Sequence, residues 1–548
     1  MSLTVALAQF NASVGDIDSN INTMHRFYND AVKLGAELIV FPELCVCGYP
    51  PEDLLLRPQF MQDNFDSVQK FAKSCVDGVV IAGFAEHENK KRFNSLAVIE
   101  KGQIRNIYHK NILPNYSVFD EKRYFEKGDE PLVIEVKGIK TALTICEDIW
   151  HFDHLDKLKN DLKNGMIVNI SASPFNVGKI NQRQETLSKC AKNFGCAIAY
   201  CNLIGGQDEL VFDGRSMFAD RNGAIISQAK AFEEDILIAN IDYDDSKKVT
   251  VESIQAHKRC PEPMQLKPIE AVYKALLLGT RDYVNKNGFN KVLIGLSGGI
   301  DSSLTAAIAA DALGAENVIG VTMPSRFNCA DTISDAEKTA LNMGIEFHTI
   351  AIEDILTAFD NTLKVAKGWD NKGLAFENLQ ARIRGSILMS MSNQFGYLVL
   401  TTGNKSETAV GYSTLYGDTA GGFAVIKDVP KTMVYELSGF INELHGKEFI
   451  PVSVIERPPS AELRADQKDS DSLPEYDLLD NIIKGYIEHD MSRKELIETG
   501  MDAKEILRVT SLIDRNEYKR RQSPPGIKIT PKAFGKDRRM PIVNRYRG

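Results

Sequence analysis

The chain has 548 residues, 43% hydrophobic and 25% charged, with 65 Lys and Arg against 74 Asp and Glu for a formal charge of −9. That length exceeds one ordinary core and implies two large domains or three smaller ones. The acidic balance argues against nonspecific nucleic-acid binding as the main task, while leaving room for a local basic pocket for phosphates.

No apolar run approaches the ~20 residues that a membrane span needs. The opening Ser2-Leu-Thr-Val-Ala-Leu-Ala-Gln-Phe lacks a basic leader segment and reads as a first strand. Nine cysteines at irregular spacings give neither a disulfide framework nor a zinc pattern. Reduced thiols, a cytoplasmic location, small-molecule substrates, no membrane and no nucleic-acid partner are the expectation.

Residues 1–250 read as strands alternating with helices. Short apolar runs mark strands at Thr4–Gln9, Leu38–Phe41, Val79–Gly83, Ser95–Glu100, Leu132–Val136, Thr141–Cys146, Met166–Ile170 and Ala197–Asn202. Helical spacing covers Asn20–Leu34 and Asn181–Phe194, and the direct step from 95–100 to 104–109 predicts an antiparallel hairpin. A mixed-sheet layered sandwich follows. Around 251–268 the periodicity stops and prolines cluster, as in a linker.

From 269 to 548 the order is helix 269–287, strand Lys291–Leu296, a glycine turn, helix 302–313, strand Val318–Met323 and helix 331–343. Such alternation implies an α/β domain with a doubly wound parallel sheet. The segments 415–425 and 457–475 are expected to act as lids, and the tail from 515 is basic.

Cys146 ends the apolar strand Thr141-Ala-Leu-Thr-Ile. A sharp turn after a buried strand exposes a nucleophile and leaves following N–H groups to hold an oxyanion. A thiol needs a base and a cation to act. Glu43 follows one buried strand, in Leu38-Ile-Val-Phe-Pro-Glu, and Lys110 follows another, in Ile107-Tyr-His-Lys. Each residue taken singly is ordinary: a strand-end cysteine is usually a small core residue, and a lone lysine or glutamate usually faces solvent.

The words around them are not ordinary. Phe41-Pro-Glu-Leu with Gly48-Tyr-Pro-Pro-Glu-Asp-Leu-Leu, His109-Lys-Asn-Ile-Leu-Pro-Asn-Tyr, and Ile145-Cys-Glu-Asp-Ile-Trp resemble the nitrilase (carbon–nitrogen hydrolase) superfamily in order over about the first 240 residues. The resemblance implies an α-β-β-α sandwich, Cys146 as nucleophile, Glu43 as general base and Lys110 as stabiliser of the tetrahedral intermediate. It further implies that Tyr116, Ser173 and Lys179 hold glutamine, with Glu121 a candidate for positioning the amide. Cys45 and Cys47 are rival thiols beside Glu43, though neither ends a strand.

Strand Val292-Leu-Ile-Gly-Leu runs into Ser297-Gly-Gly-Ile-Asp-Ser-Ser and then a helix. Glycines admit phosphate oxygens close to the backbone, free N–H groups at the helix start attract anions, and Asp301 offers an oxygen to Mg²⁺. No lysine stands where a Walker A loop needs one.

Ser297-Gly-Gly-Ile-Asp-Ser resembles the PP-loop of ATP pyrophosphatases, of the adenine nucleotide alpha hydrolase type. Phe376-Glu-Asn-Leu-Gln-Ala-Arg-Ile-Arg-Gly, Leu400-Thr-Thr-Gly-Asn-Lys-Ser-Glu, Tyr412-Ser-Thr-Leu-Tyr-Gly-Asp and Pro458-Pro-Ser-Ala-Glu-Leu-Arg resemble the NAD synthetase branch.

That resemblance implies ATP contacts from Gly295, Leu296, Ser297, Gly298, Gly299, Ile300, Asp301, Ser302 and Thr402. It also implies dinucleotide contacts from Asn378, Glu407 and Lys519, and Mg²⁺ held by Asp301 and Glu407. The expected reaction is glutamine hydrolysis in the first domain and ATP-driven amidation of nicotinate adenine dinucleotide in the second. Ammonia would pass through a protected tunnel, in a homo-oligomer. Rival readings are an adenylating amidotransferase for another acceptor, and a nucleotide-sensing scaffold with an inert amidase half.

Overall fold

Successive residues of β1 (Ser2–Gln9) face two different cores. Leu3, Val5 and Leu7 enter one apolar cluster, while Ala6 and Ala8 enter another, as a strand buried on both faces requires. The computed structural model describes residues 2–243, 249–253, 266–460, 462–464, 467, 469–471 and 473–546. The chain divides into two compact units, Met1–Leu266 and Lys267–Gly548.

The first unit contains, in chain order, β1, β2 (Leu38–Val40), β3 (Val79–Glu88), β4 (Lys91–Glu100), β5 (Gln103–His109), β6 (Leu132–Val136), β7 (Ile139–Ile145), β8 (Met166–Ser171), β9 (Ala197–Asn202), β10 (Ile204–Gln207), β11 (Leu210–Asp213), β12 (Met217–Ala219), β13 (Ile225–Gln228), β14 (Asp235–Tyr243) and β15 (Val249–Ser253). One sheet has the order β15-β14-β1-β2-β3-β4-β5, and a second has the order β13-β12-β9-β8-β7-β6. Both are mixed. β1, β2 and β3 are parallel, the expected β4–β5 hairpin is antiparallel, and β7, β8 and β9 run parallel.

The two sheets share an inner core of Leu3, Val5, Leu7, Leu38 and Val40 against Leu143, Ile145, Val168, Ile170 and Ala199. Helices Ile17–Lys33 and Pro58–Ser74 cover the outside of the first sheet, through Met24, Phe27, Val68 and Phe71. Helix Lys179–Phe194 covers the second sheet through Leu187, Ala191 and Phe194. The result is the α-β-β-α sandwich.

Buried residues Ile17, Asn20, Met24, Phe27, Tyr28 and Ala31 recur at helical spacing, and the Asp16 carboxylate caps that helix by accepting from Ser19 N at 3.3 Å.

Residues 251–253, read from sequence as connecting segment, belong to β15, and the second unit opens with helix Pro268–Lys286. Residues 254–265, the middle of that segment, lie outside the described residues, as do 461, 465, 466, 468 and 472 within the expected lid at 457–475.

The second unit carries β16 (Val292–Gly295), β17 (Val318–Thr322), β18 (Glu346–Thr349), β19 (Leu398–Thr401) and β20 (Phe423–Ala424) in the order β18-β17-β16-β19-β20, every adjacent pair parallel. Leu293, Ile319 and Val321 pack on Leu379, Ile383 and Leu388 of helix Gly373–Phe395. Helices Pro268–Lys286, Ile300–Leu313 and Lys431–His445 pack together as a separate group, with Ile300–Leu313 against β16 and β17. The sheet is therefore doubly wound, and the chain reverses direction across it at β16. The crevice beyond β16 and β19 is where such folds bind ligands.

A further helical cluster joins Ala409, Val410, Leu479, Ile482, Ile506, Val509 and Ile513. Among the described residues, no helix is long and apolar enough to cross a membrane.

Candidate active sites

Glu43, Lys110, Cys146 and Ser173 all lie just beyond the C-terminal ends of β2, β5, β7 and β8. The two sheets bring these ends together. Lys110 Nζ donates to Glu43 Oε1 at 2.7 Å and to Glu121 Oε1 at 2.8 Å, and all three residues are buried. Asn94 Nδ2 also donates to Glu43 Oε1, at 2.7 Å, and the Ala172 N–H donates to Oε2 at 2.8 Å. Tyr49 OH holds Glu121 Oε1 at 3.0 Å. Close packing behind Glu43 requires Gly83, where a Cβ would stand 2.5 Å from Leu44 N and Pro42 O.

Cys146 opens a short 3₁₀ turn, Cys146–Ile149, with φ at 44°. A non-glycine residue in the left-handed region stores strain, which is common where a nucleophile must be presented. Asp148 fixes this turn. Its carboxylate accepts from Ile145 N at 2.9 Å, Tyr108 OH at 2.7 Å, and Asn111 N and Ile112 N at 3.1 and 2.9 Å. It thereby ties the Cys146 turn to the segment that carries Lys110.

Burial and the Glu43 carboxylate push the Cys146 thiol well above its ordinary range, with Lys110 opposing. The resting sulfur keeps its proton until a base takes it. Burial works against the Lys110 charge, but Glu121 and Glu43 outweigh it and hold the ammonium above its ordinary value. Cys45 and Cys47 are wholly buried. Cys45 donates to Gly83 O at 3.4 Å, and burial pushes the Cys47 thiol up to about 12. Neither is poised to react.

The expected glutamine ligands fall around this cluster. Tyr116 OH donates to Glu147 at 3.0 Å, Lys179 Nζ lies 4.2 Å from the centre of the Trp150 ring, and Ser173 Oγ accepts from Arg183 Nε at 3.1 Å. Glu121 sits inside the Lys110 network.

In the second unit, a cavity of about 330 Å³ opens beyond β16 and β19. Gly295, Leu296, Ser297, Gly298, Gly299, Ile300, Asp301, Ser302, Thr402, Glu407 and Lys519 all line it. Gly298 has φ 80°, and a Cβ there would stand 2.1 Å from Thr332 O. Ser302 Oγ bridges the turn, donating to Gly299 O at 2.9 Å and accepting from Ser297 N at 3.3 Å. The start of helix Ile300–Leu313 points its free N–H groups at this space.

Asp301 is bound by Asn404 Nδ2 at 2.9 Å and by Lys431 Nζ, which also lies 3.9 Å from Glu407. Burial and the Asp301 carboxylate push Glu407 up to about 8, against the pull of Lys431. Lys519 Nζ donates to Gly411 O and Ser413 O at 2.7 and 2.8 Å. Asn378 is half-buried, stands outside the cavity lining and accepts from Thr414 Oγ1 at 2.7 Å.

The NAD synthase family profile matches residues 272–523, and the carbon-nitrogen hydrolase profile matches 4–250. A glutamine-dependent NAD(+) synthetase of Thermotoga maritima is 46% identical, covering 100% of this chain and 99% of its own. One from Acinetobacter baylyi is also 46% identical, with the same coverage of each chain. The chain belongs to the glutamine-dependent NAD(+) synthetase family.

A solved member, glutamine-dependent NAD+ synthetase from Acinetobacter baumannii in complex with ADP, superposes with a TM-score of 0.79 at 44% identity over 99% of both chains. Family membership along the whole length sets aside an adenylating enzyme for another acceptor, and equally a non-enzymatic scaffold.

Carboxylate oxygens are the donors that a hard cation prefers, and the crowding of Asp301 and Glu407 is what such a cation relieves. Among the described residues, no group of three or more His, Cys, Asp and Glu could hold a metal. Mg²⁺ takes one or two carboxylates and draws its other ligands from phosphate and water, and Asp301 and Glu407 on the cavity wall are two such carboxylates.

Sequence reasoning passed over several residues of these two sites. Asn94 and Arg183 read as ordinary polar positions, and Asp148 stood in the Ile145–Trp150 motif without a role of its own. Arg457, which donates to Gly298 O at 3.4 Å and pairs with Asp335, was visible only as part of a polar loop, and Glu462, which accepts from Thr332 Oγ1 at 2.8 Å, stood in the Pro458–Arg464 motif without a role of its own.

Proposed function

We propose that the first unit hydrolyses glutamine and that the second uses the ammonia to amidate nicotinate adenine dinucleotide at the expense of ATP. Glu43 takes the Cys146 proton, the thiolate attacks the side-chain amide, and Lys110 steadies the oxyanion as ammonia leaves. Water then splits the thioester to glutamate. Tyr116, Ser173 and Lys179 hold the substrate, and Glu121 keeps Lys110 charged and in place.

In the second unit the nicotinate carboxylate attacks the α-phosphate of ATP. The turn Ser297–Ser302 and the start of its helix receive the pyrophosphate. Asp301 and Glu407 would hold Mg²⁺, whose charge offsets that of the phosphates, and Thr402, Asn378 and Lys519 position the nucleotides. Ammonia displaces AMP to give the amide.

Protonated ammonia has no lone pair to attack with, so ammonia moves between the sites without equilibrating with bulk water. The enzyme acts as a homo-oligomer in the cytoplasm. Sedimentation tests the assembly, and competition between amide-labelled glutamine and unlabelled ammonium tests the channelling.

The observation that carries this reading is the Lys110 ammonium held between Glu43 and Glu121 beside a strained, buried Cys146. A cavity floored by a glycine turn at the fold's switch point accompanies it. The purified protein, given glutamine, ATP, Mg²⁺ and the acid dinucleotide, is expected to form NAD, AMP and pyrophosphate. Release of ADP and orthophosphate would sink the proposal. Cys146→Ala is expected to abolish glutamine-driven synthesis and keep the ammonium-driven reaction.

A further inference from the structure

Arg183 is 1% exposed and lies in the first turns of helix Lys179–Phe194, where its guanidinium reaches back to the turn after β8. Nε donates to Ser173 Oγ at 3.1 Å. Nη2 donates to Ser173 O at 2.8 Å and Pro174 O at 3.2 Å, and Nη1 donates to Asp213 Oδ1 at 2.6 Å. Burial disfavours this cation, but the Asp213 carboxylate more than restores it, and the guanidinium stays charged. The planar fork of arginine meets these acceptors together, which a lysine cannot do.

Two consequences follow for Ser173. First, its oxygen accepts from a cation, so its own O–H points elsewhere. Among the described residues no acceptor takes that hydrogen, although Ser173 is 3% exposed. With one of its two lone pairs engaged by Arg183, this buried hydroxyl holds its hydrogen ready for an acceptor. Second, the Ser173 backbone is clamped from both sides: its N–H donates to Asn202 Oδ1 at 2.9 Å while its carbonyl receives Arg183. The adjacent Ala172 N–H is the one that holds Glu43 Oε2.

We propose that Arg183 is a positioning residue of the amidase site. It fixes the Ser173 hydroxyl as a donor to the α-carboxylate of bound glutamine and so sets selectivity for an amino-acid amide over a simple one. The inference rests on Ser173 being a glutamine ligand, as in the reading above. The unpaired Ser173 hydrogen needs an acceptor, which the substrate's α-carboxylate offers and its ammonium lacks. Arg183 itself touches no reacting atom.

The test uses the full-length protein, with glutamine and 4-aminobutanamide, which keeps the amide and amine but lacks the α-carboxylate. Arg183→Lys retains the charge beside Asp213 and removes the donor to Ser173. It is expected to raise KM for glutamine by about tenfold or more, the value of a hydrogen bond to a charged group, with a smaller fall in kcat. Hydrolysis of 4-aminobutanamide should change less than threefold.

Ser173→Ala should give the same pattern, and the double variant should be no worse than Arg183→Lys alone. Equal losses on both amides, or losses that multiply in the double variant, overturn the proposal. A melting curve matching that of the parent excludes unfolding as the cause. Should Arg183→Lys melt early, its KM for the two amides measured below its unfolding transition decides the matter. Failure of the parent protein to hydrolyse glutamine at all would instead overturn the amidase reading.

Discussion

Lys110 Nζ lies 2.7 Å from Glu43 Oε1 with neither side chain exposed to water. Buried ion pairs gain little over an apolar pair, yet breaking one strands a charge in a medium that cannot solvate it. Lys110→Met leaves Glu43 and Glu121 facing each other without their shared cation. The expected result is complete loss of glutamine hydrolysis and a loss of about 3–5 kcal/mol from the first unit. Denaturant unfolding checks the second figure; an unchanged midpoint would mean that the pair is not buried as described.

Glu121 gives the first unit a pH signature. Burial pushes its carboxyl up to about 7 from 4.5, Lys110 opposing and Glu43 adding to the rise. The folded state therefore keeps a proton that the unfolded chain gives up. The contribution to stability is fully present below 4.5 and is lost as the pH climbs through about 7. Unfolding titrations at a series of pH values should show the parent losing stability across that window relative to Glu121→Gln. Parallel curves for the two proteins would refute the assignment.

Gly298→Ala addresses the second unit. Its methyl group would collide with Thr332 O at 2.1 Å in a backbone conformation, φ 80°, that alanine resists. Strain of that kind costs ~1–3 kcal/mol, so ATP-dependent pyrophosphate release should fall by roughly 5- to 150-fold. Glutamine hydrolysis by the first unit serves as the internal control. Normal pyrophosphate release would show that the turn does not meet the phosphates.

Lys405 is fully buried and bridges Asp428 at 3.0 Å, Glu488 at 2.7 Å and Thr530 Oγ1 at 2.6 Å. Lys405→Met leaves those carboxylates uncompensated and should cost the second unit about 3–5 kcal/mol. Calorimetry should record the transition of that unit moving down while the other stays. A single unshifted profile would contradict the arrangement.

The sequence made strand ends legible because apolar runs such as Thr141–Ile145 and Met166–Ile170 stop abruptly at polar residues. The partnership of Glu43 with Lys110 was not readable from spacing, since 67 positions separate them and only the sheet order unites them. Resemblance bridged that gap. β10 to β15 escaped notice because several are very short, and Gly205 and Gly206 interrupt β10.

Arg183 stood in Asn181-Gln-Arg-Gln-Glu, a run that reads as the solvated face of a helix. Its burial depends on Asp213, supplied by a strand that the periodicity did not reveal. The glycine turn at 297–299 announced itself, but Asn404 and Lys431 as the partners of Asp301 did not, because both come from elements far along the chain.

Asp428 accepts from the N–H groups of Ile529 and Thr530 at 2.8 and 2.7 Å, Gly526 bridges to Ala424, and Lys519, Ser523 and Pro524 help wall the nucleotide cavity. On the ribosome these residues emerge long after the turn at 297–302. A nascent chain thus has all the residues of its first unit while the cavity of the second still lacks part of its wall. The cavity gains its last lining residues only when 519–524 have been added to the chain.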